Sequence, residues 1–185
     1  RAYVRSRYRL EINGRRAPSA ASNPTVLRCY RVTMNEPQLC TPGFVDSWLE
    51  LAQTVEHLFG PMPDLQTHID KGIKRRTAIV ILQDRSVVGA MLLSGPGKPQ
   101  FIRWLAVDQN SRGQGLGTAL VKFAMSYWPD GEISVVTFPA DHGGGAAARA
   151  LYQRNGFTSQ GLTDPAPDGS PRELFVLARG SLTEK

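Results

Sequence analysis

A glycine-rich turn between a strand and a helix constrains this chain more than any other feature. The apolar run Gln100–Val107 is followed by Asp108-Gln109-Asn110-Ser111-Arg112-Gly113-Gln114-Gly115-Leu116-Gly117-Thr118, and a helical pattern then begins. Glycines at such a turn let the backbone approach a ligand closely. The unpaired N–H groups of the helix start point outward, and the helix dipole favours an anion there. Arg112 adds positive charge and Thr118 a hydroxyl, so the turn suits a phosphate or pyrophosphate. A Walker loop is excluded because no Lys follows the last glycine. The dinucleotide fingerprint GxGxxG/A is excluded because Thr118 stands where its last small residue belongs.

The surrounding pattern decides the fold class. Thr25–Thr33 alternates apolar and polar residues and reads as a strand. Pro42 opens a helix whose apolar side is Val45, Trp48, Leu49, Ala52, Val55 and Phe59, and Gly60-Pro61 ends it. A second helix covers about Asp64 to Ile73. Thr77–Gln83 and Ser86–Ser94 flank Asp84-Arg85 and predict an antiparallel hairpin. Then come the strand Gln100–Val107, a helix Gly115–Tyr127, a strand Glu132–Phe138 and a helix Ala146–Arg154. A final strand pair, Phe157–Leu162 and Glu173–Ala178, encloses a Pro/Gly-rich loop. Hairpins mixed with crossovers predict an α+β fold: a mixed, mostly antiparallel central sheet flanked by helices.

These elements carry two motifs that resemble the GCN5-related N-acetyltransferase (GNAT) family. Arg112, Gly115 and Gly117 match its [RQ]-x-x-G-x-[GA], and Leu105-Ala106-Val107 is similar to the strand end that precedes it. Ala148, Leu151, Tyr152, Gly156 and Phe157 match its N-x-x-A-x-x-L-Y…G-F, with Gly145 in place of the Asn. The resemblance covers about residues 25–180. It implies acetyl-CoA as cosubstrate and a primary amine of a small molecule or peptide as acceptor. It further implies that the pantetheine arm lies between two splayed strands, here Gln100–Val107 and Glu132–Phe138. Backbone groups of Leu105, Ala106 and Val107 would pair with that arm. Residues Arg112, Gly113, Gln114, Gly115, Leu116, Gly117 and Thr118 would hold the pyrophosphate, and Tyr152 would protonate the leaving thiolate. A phenol near pKa ~10 suits a thiolate of about 8.5–10.

The proton acceptor is not legible. Relatives place a Glu four or six residues before the strand's last Val; those positions are Arg103 and Phe101, which take no proton at neutral pH. Glu50, Glu56, His57 and His142 remain as side-chain candidates beside a water relay. For the acceptor, Trp48, Glu50, Glu56, His57 and Phe59 on the first helix, with the loop Asp164–Pro171, suggest a cationic amine with an apolar body.

Charge divides the chain. Of its 22 basic and 16 acidic residues, eight and one fall in residues 1–31, which leaves 14 and 15 for the remainder. The basicity therefore belongs to a segment that ends in the linker-like NGRRAPSAASNP, and residues 1–24 read as a basic extension before an N-acetyltransferase domain at 25–185. A solvated leader or the remnant of a longer chain is the expectation for it, and no nucleic-acid partner is expected of the near-neutral body. Cys29 and Cys40 form no CxxC, and His57, His68 and His142 have no metal-ligand spacing, so no metal is expected. No apolar run is long enough to span a bilayer. A cytoplasmic protein without a membrane partner is the expectation, with a homodimer allowed. The excess of Arg over Lys points to GC-rich, bacterial coding. Two alternatives stay open: a non-catalytic acyl-CoA-binding regulatory domain, and a nucleic-acid or partner-binding module using the basic N-terminus.

Overall fold

A computed structural model describes residues 35–142, 145–166 and 168–179. The expected strand Thr25–Thr33 and the basic extension 1–24 lie outside them. The described elements are β1 (Gln38–Leu39), α1 (Val45–Phe59), α2 (Leu65–Arg75), β2 (Ala78–Gln83), β3 (Ser86–Leu93), β4 (Phe101–Val107), α3 (Leu116–Tyr127), β5 (Ile133–Thr137), α4 (Gly145–Arg154), β6 (Thr158–Thr163) and β7 (Arg172–Leu177). They build one seven-stranded sheet in the order β1-β2-β3-β4-β5-β7-β6. Every pairing is antiparallel except β4 with β5. This is the expected mixed, mostly antiparallel sheet flanked by helices.

Local chemistry explains the elements. Asp84 and Arg85 both adopt left-handed φ, 48° and 67°, as a two-residue turn needs when its twist must match the strands it joins. Pro42 starts a one-turn 3-10 helix that leads into α1, and Gly60 stops α1 with φ 77°. Gly72 lets α2 lie close on the sheet, since a Cβ there would stand 3.0 Å from Ala78 Cβ. The sequence pattern placed Leu49 on the apolar side of α1; Leu51 is the buried residue and Leu49 is only half-buried. The stripe is broad, and a residue three after Trp48 faces the sheet as well as one four after it. β1 spans only two residues, too few for alternation to register.

The sheet separates two cores. One lies under α1 and α2 and includes Trp48, Val55, Ile69, Val80, Leu92, Trp104 and Ala106. The other lies under α3 and α4 and includes Ile79, Met91, Ile102, Leu120, Ile133, Tyr152 and Phe175. Ile102 and Trp104 are two residues apart yet face opposite cores. In a regular strand they would share a face. The register explains this: Leu93 opposes Ile102 while Leu92 opposes Trp104, so β4 holds one extra residue, Arg103. Such a bulge bends its strand and raises the local twist. β4 pairs with β5 only through Phe101 and Ile102, before the bulge. Beyond it the two strands separate.

Trp48 anchors the first core. It is fully buried against Trp104, ring centroids 5.8 Å apart, and its indole N–H has no hydrogen-bond partner. Trp48→Ala is expected to cost about 3–5 kcal/mol through the cavity it leaves. Trp48→Phe is expected to cost less than about 1.5 kcal/mol, because losing an unsatisfied donor offsets part of the lost volume. Urea unfolding measures both; equal costs would show that the indole edge is in fact satisfied.

Candidate active site

The gap between β4 and β5 opens into a cavity of about 710 Å³. Its walls come from both faces of the sheet: Phe59 and Trp104 from the α1 side, Leu116, Leu151 and Tyr152 from the α3–α4 side. It is therefore a cleft through the sheet. Leu105, Ala106, Val107, Arg112, Gly113, Gly115, Leu116, Gly117, Thr118 and Tyr152 all line it, although the sequence scatters them over nearly fifty positions.

The turn has a clear physical logic. Asp108 accepts a hydrogen bond from the Asn110 N–H at 2.9 Å and closes a short 3-10 turn over Gln109–Ser111. Gly113 and Gly115 have φ of 78° and 82°, in the left-handed region where side chains are disfavoured. Gly115 is the N-cap of α3 and supplies no side-chain cap. The first N–H groups of α3 thus have no intrahelical partner, at the positive end of a helix dipole. Leu116 lines the cavity yet is almost wholly buried in the second core, so it fixes the helix start. Gly117 serves packing: a Cβ there would meet Leu151 Cδ2 at 3.2 Å, so its smallness brings α4 against α3.

Gln114 departs from its expected place. It does not line the cavity, and its side-chain oxygen accepts from Gln83 Nε2 at 3.1 Å. Ser111, which sequence reasoning passed over, does line it, and its hydroxyl donates to Gln83 Oε1 at 3.2 Å. Gly145, the departure from the second motif, also has a reason. A Cβ there would lie 1.9 Å from the Pro139 carbonyl oxygen, so the tight approach to α4 admits only glycine.

Tyr152 sits on α4 between Phe157 and Phe175, at 5.5 and 6.2 Å between ring centroids. Desolvation alone raises its phenol above the ordinary value of 10. The group is a proton or hydrogen-bond donor and not a base. α4 is tied to β7 by an ion pair of Arg149 with Glu173, whose carboxylate also accepts from the Ser159 hydroxyl.

Among the described residues no Asp, Glu, His or Lys lines the cavity. Glu50, Glu56 and His57 are exposed on α1 and stand apart from the cavity wall, and Trp48 lies beneath it in the core. Phe59 is the one residue of that set that lines it. His142 stacks on Phe138 at 4.3 Å, with an interplanar angle of 7°, behind the lining. Counting by twos back from Val107 fails beyond the bulge. Arg103 nevertheless lines the cavity, as does Phe101, and neither takes a proton. Burial pushes the Cys40 thiol up to about 12, which keeps it protonated, and it is no part of the cavity. Among the described residues no three His, Cys, Asp or Glu gather into a metal site.

The raised phenol has a measurable consequence. Below about pH 10 folded and unfolded chains both keep the Tyr152 proton, so the residue adds no pH dependence. Above it the unfolded chain releases the proton first. Stability is then lost at about 1.4 kcal/mol per pH unit until the folded phenol also ionises. Tyr152→Phe is expected to lack this loss. Chemical unfolding of both proteins at pH 9 and 11 checks it; parallel behaviour would mean that the folded phenol ionises as freely as the unfolded one.

Comparison with known proteins agrees with this geometry. Residues 74–159 match the acetyltransferase (GNAT) domain family. No curated protein matches the chain. Among solved structures, a GNAT-family acetyltransferase from Bacillus cereus ATCC 10987 superposes with TM-score 0.65 and 16% identity, over 78% of this chain and 97% of that one. The ribosomal-protein-S18-alanine N-acetyltransferase from Escherichia coli gives 0.62 and 16%, over 80% and 98%. The NatC complex bound to Gag peptide and CoA gives 0.61 and 16%, over 78% and 98%. At such identities the structural likeness is one of fold. The sequence match to the family runs from the end of α2 into the start of β6, and the described fold is that of the GNAT acetyltransferases it resembles.

Proposed function

We infer that the protein transfers an acetyl group from acetyl-CoA to a primary amine. The observation that carries this reading is the cleft through the sheet, with an uncapped helix start at one mouth and an aromatic chamber at the other. The proteins of like fold include one named as an alanine N-acetyltransferase and one bound to CoA.

In this reading the pyrophosphate lies against the N–H groups of the α3 start, with Arg112 beside it. The pantetheine arm runs between β4 and β5 and pairs with β4 past the bulge, as an added strand would. A backbone N–H of Leu105–Val107 polarises the thioester carbonyl. The amine nitrogen attacks that carbon; a C–N bond forms and the C–S bond breaks. The amine nitrogen gives up one proton and the thiolate gains one, so the products are an acetamide and free CoA. Among the described residues no carboxylate or imidazole lines the cleft, so in this reading water carries the amine proton away. Tyr152 meets the charge that grows on sulfur. Its raised pKa makes the phenol a weaker acid than the thiol, which favours a hydrogen bond to the developing thiolate over complete early transfer.

Gly115→Asp tests the site. An added Cβ meets nothing within 4 Å, and Asp tolerates the left-handed φ of 82° better than most residues. An acidic N-cap also suits the helix dipole, so the fold is expected to persist. The new charge would face the pyrophosphate. Acetyl-CoA affinity is expected to fall by at least about 100-fold, or roughly 2.7 kcal/mol, with an unchanged circular-dichroism spectrum. Calorimetry that finds wild-type affinity in the folded variant would remove the pyrophosphate from this turn. Normal acetyl-CoA binding by wild type, but no CoA release with any amine, would favour a non-catalytic acyl-CoA-binding domain.

A further inference from the structure

Among the described residues the charged side chains that line the cleft are all arginines: Arg103, Arg112, Arg154 and Arg172. Arg112 belongs to the glycine turn and Arg154 to the end of α4, both on the face where the pyrophosphate is assigned. Arg172 is placed differently. It begins β7, next to Glu173, whose carboxylate is paired with Arg149 of α4. Successive strand residues face opposite sides of a sheet, so Arg172 faces the α1 side. There its guanidinium lies over the Phe138 ring, 4.1 Å from the centroid. Phe138 contacts Phe59 at 6.1 Å, and Phe59 contacts Trp104 at 5.8 Å. Arg172 thus stands at the rim of an aromatic chamber that forms the second mouth of the cleft.

Its orientation is fixed before any ligand arrives. Nη1 donates to Ser170 Oγ at 2.7 Å and to the Pro171 carbonyl at 3.1 Å. The Ser170 hydroxyl in turn donates to Asp168 Oδ1 at 2.5 Å. Those bonds occupy both hydrogens of Nη1. The Nε–H and the Nη2 hydrogens remain, side by side in one plane, and that edge matches the two oxygens of one carboxylate. No carboxylate among the described residues forms an ion pair with Arg172. Asp168 is bridged to it by the Ser170 hydroxyl and also feels its charge directly, but Asp168 is fully exposed, so water screens that attraction and leaves the guanidinium edge available.

A held cation on an apolar rim disfavours a second cation. An amine that enters there as an ammonium, with no anion of its own, would meet like charge. An amine that brings a carboxylate would meet a preset fork, while its apolar body fills the chamber. We propose that the acceptor is a carboxylate-bearing amine with an aromatic or large aliphatic body, its carboxylate held by Arg172 and its body by Phe59, Trp104 and Phe138. This rests on the acetyl-transfer reading of the cleft and replaces the acid-lined acceptor site that the sequence of α1 suggested. It assigns Arg172 as a specificity-determining residue.

Matched ligands test it. L-phenylalanine, L-leucine and L-tryptophan are compared with 2-phenylethylamine, isoamylamine and tryptamine, which lack only the carboxylate. Each is titrated calorimetrically into the full chain saturated with CoA, as wild type, Arg172→Gln and Arg172→Lys. At least one carboxylated ligand is expected to bind wild type about 10–100-fold tighter than its partner. Arg172→Gln should erase that margin and leave the carboxylate-free partner within about threefold, and Arg172→Lys should keep only part of it. Equal binding within every pair, a loss in Arg172→Gln shared by both members, or no binding of any carboxylated ligand would overturn the assignment. CoA release from acetyl-CoA with the same amines separates the two levels of the account. Carboxylate-dependent binding without CoA release would uphold the Arg172 site and contradict acetyl transfer. Equal CoA release from both members of every pair would uphold acetyl transfer and contradict the Arg172 site.

Discussion

One extra residue in β4 governs the architecture of the site. Without Arg103 the alternation of β4 would run unbroken, and nothing in the register would prevent β4 and β5 from pairing along their whole length. The sheet would then be closed at its only parallel junction. With the bulge, pairing ends after Ile102, Trp104 and Ala106 turn to the α1 core, and Leu105 and Val107 turn toward α3. Among the described residues a backbone edge is left without a strand partner inside an otherwise continuous sheet. Edges of that kind accept an extended chain, and the pantetheine arm is an extended chain with amide groups.

Around this opening the molecule sorts its charges. The α3 start offers uncapped N–H groups in place of an acidic cap, because Gly115 stands at the N-cap. Among the described residues the cleft carries arginines and no acid, which suits an anionic ligand. Tyr152 is stripped of solvent and so remains a donor across the physiological range. Glu173 is paired with Arg149 and serves to fix α4 on β7.

Much of this was legible in the sequence, for local reasons. The two-residue gap between the β2 and β3 patterns announces a tight hairpin, and the glycines at 113 and 115 announce their left-handed turn. Helix faces follow from spacing, and the run of α and β elements from their punctuation. What stayed hidden was set by register. Nothing local marks Arg103 as an extra residue, since the bulge exists only relative to β3. Gly117 lines the cleft and also seats Leu151, a packing role the motif did not show, and Gln114 turns its side chain to Gln83. Glu50, Glu56 and His57 share a helix with Phe59, yet of these four only Phe59 lines the cleft, a difference that spacing along α1 did not reveal. Phe138 and Arg172 meet through the pairing of Thr137 with Glu173, across thirty-five residues whose spacing carries no signal.

The central claim is that the bulge-opened gap between β4 and β5 receives the acyl-CoA. A crystal structure of the protein with CoA bound tests it most directly. The account predicts the pantetheine arm hydrogen-bonded to the backbone of β4 beyond Arg103, and the pyrophosphate against the N–H groups of residues 113–118. The sulfur should lie within hydrogen-bonding reach of the Tyr152 hydroxyl. CoA bound elsewhere on the surface, or the same gap closed by β4–β5 pairing in the complex, would contradict it.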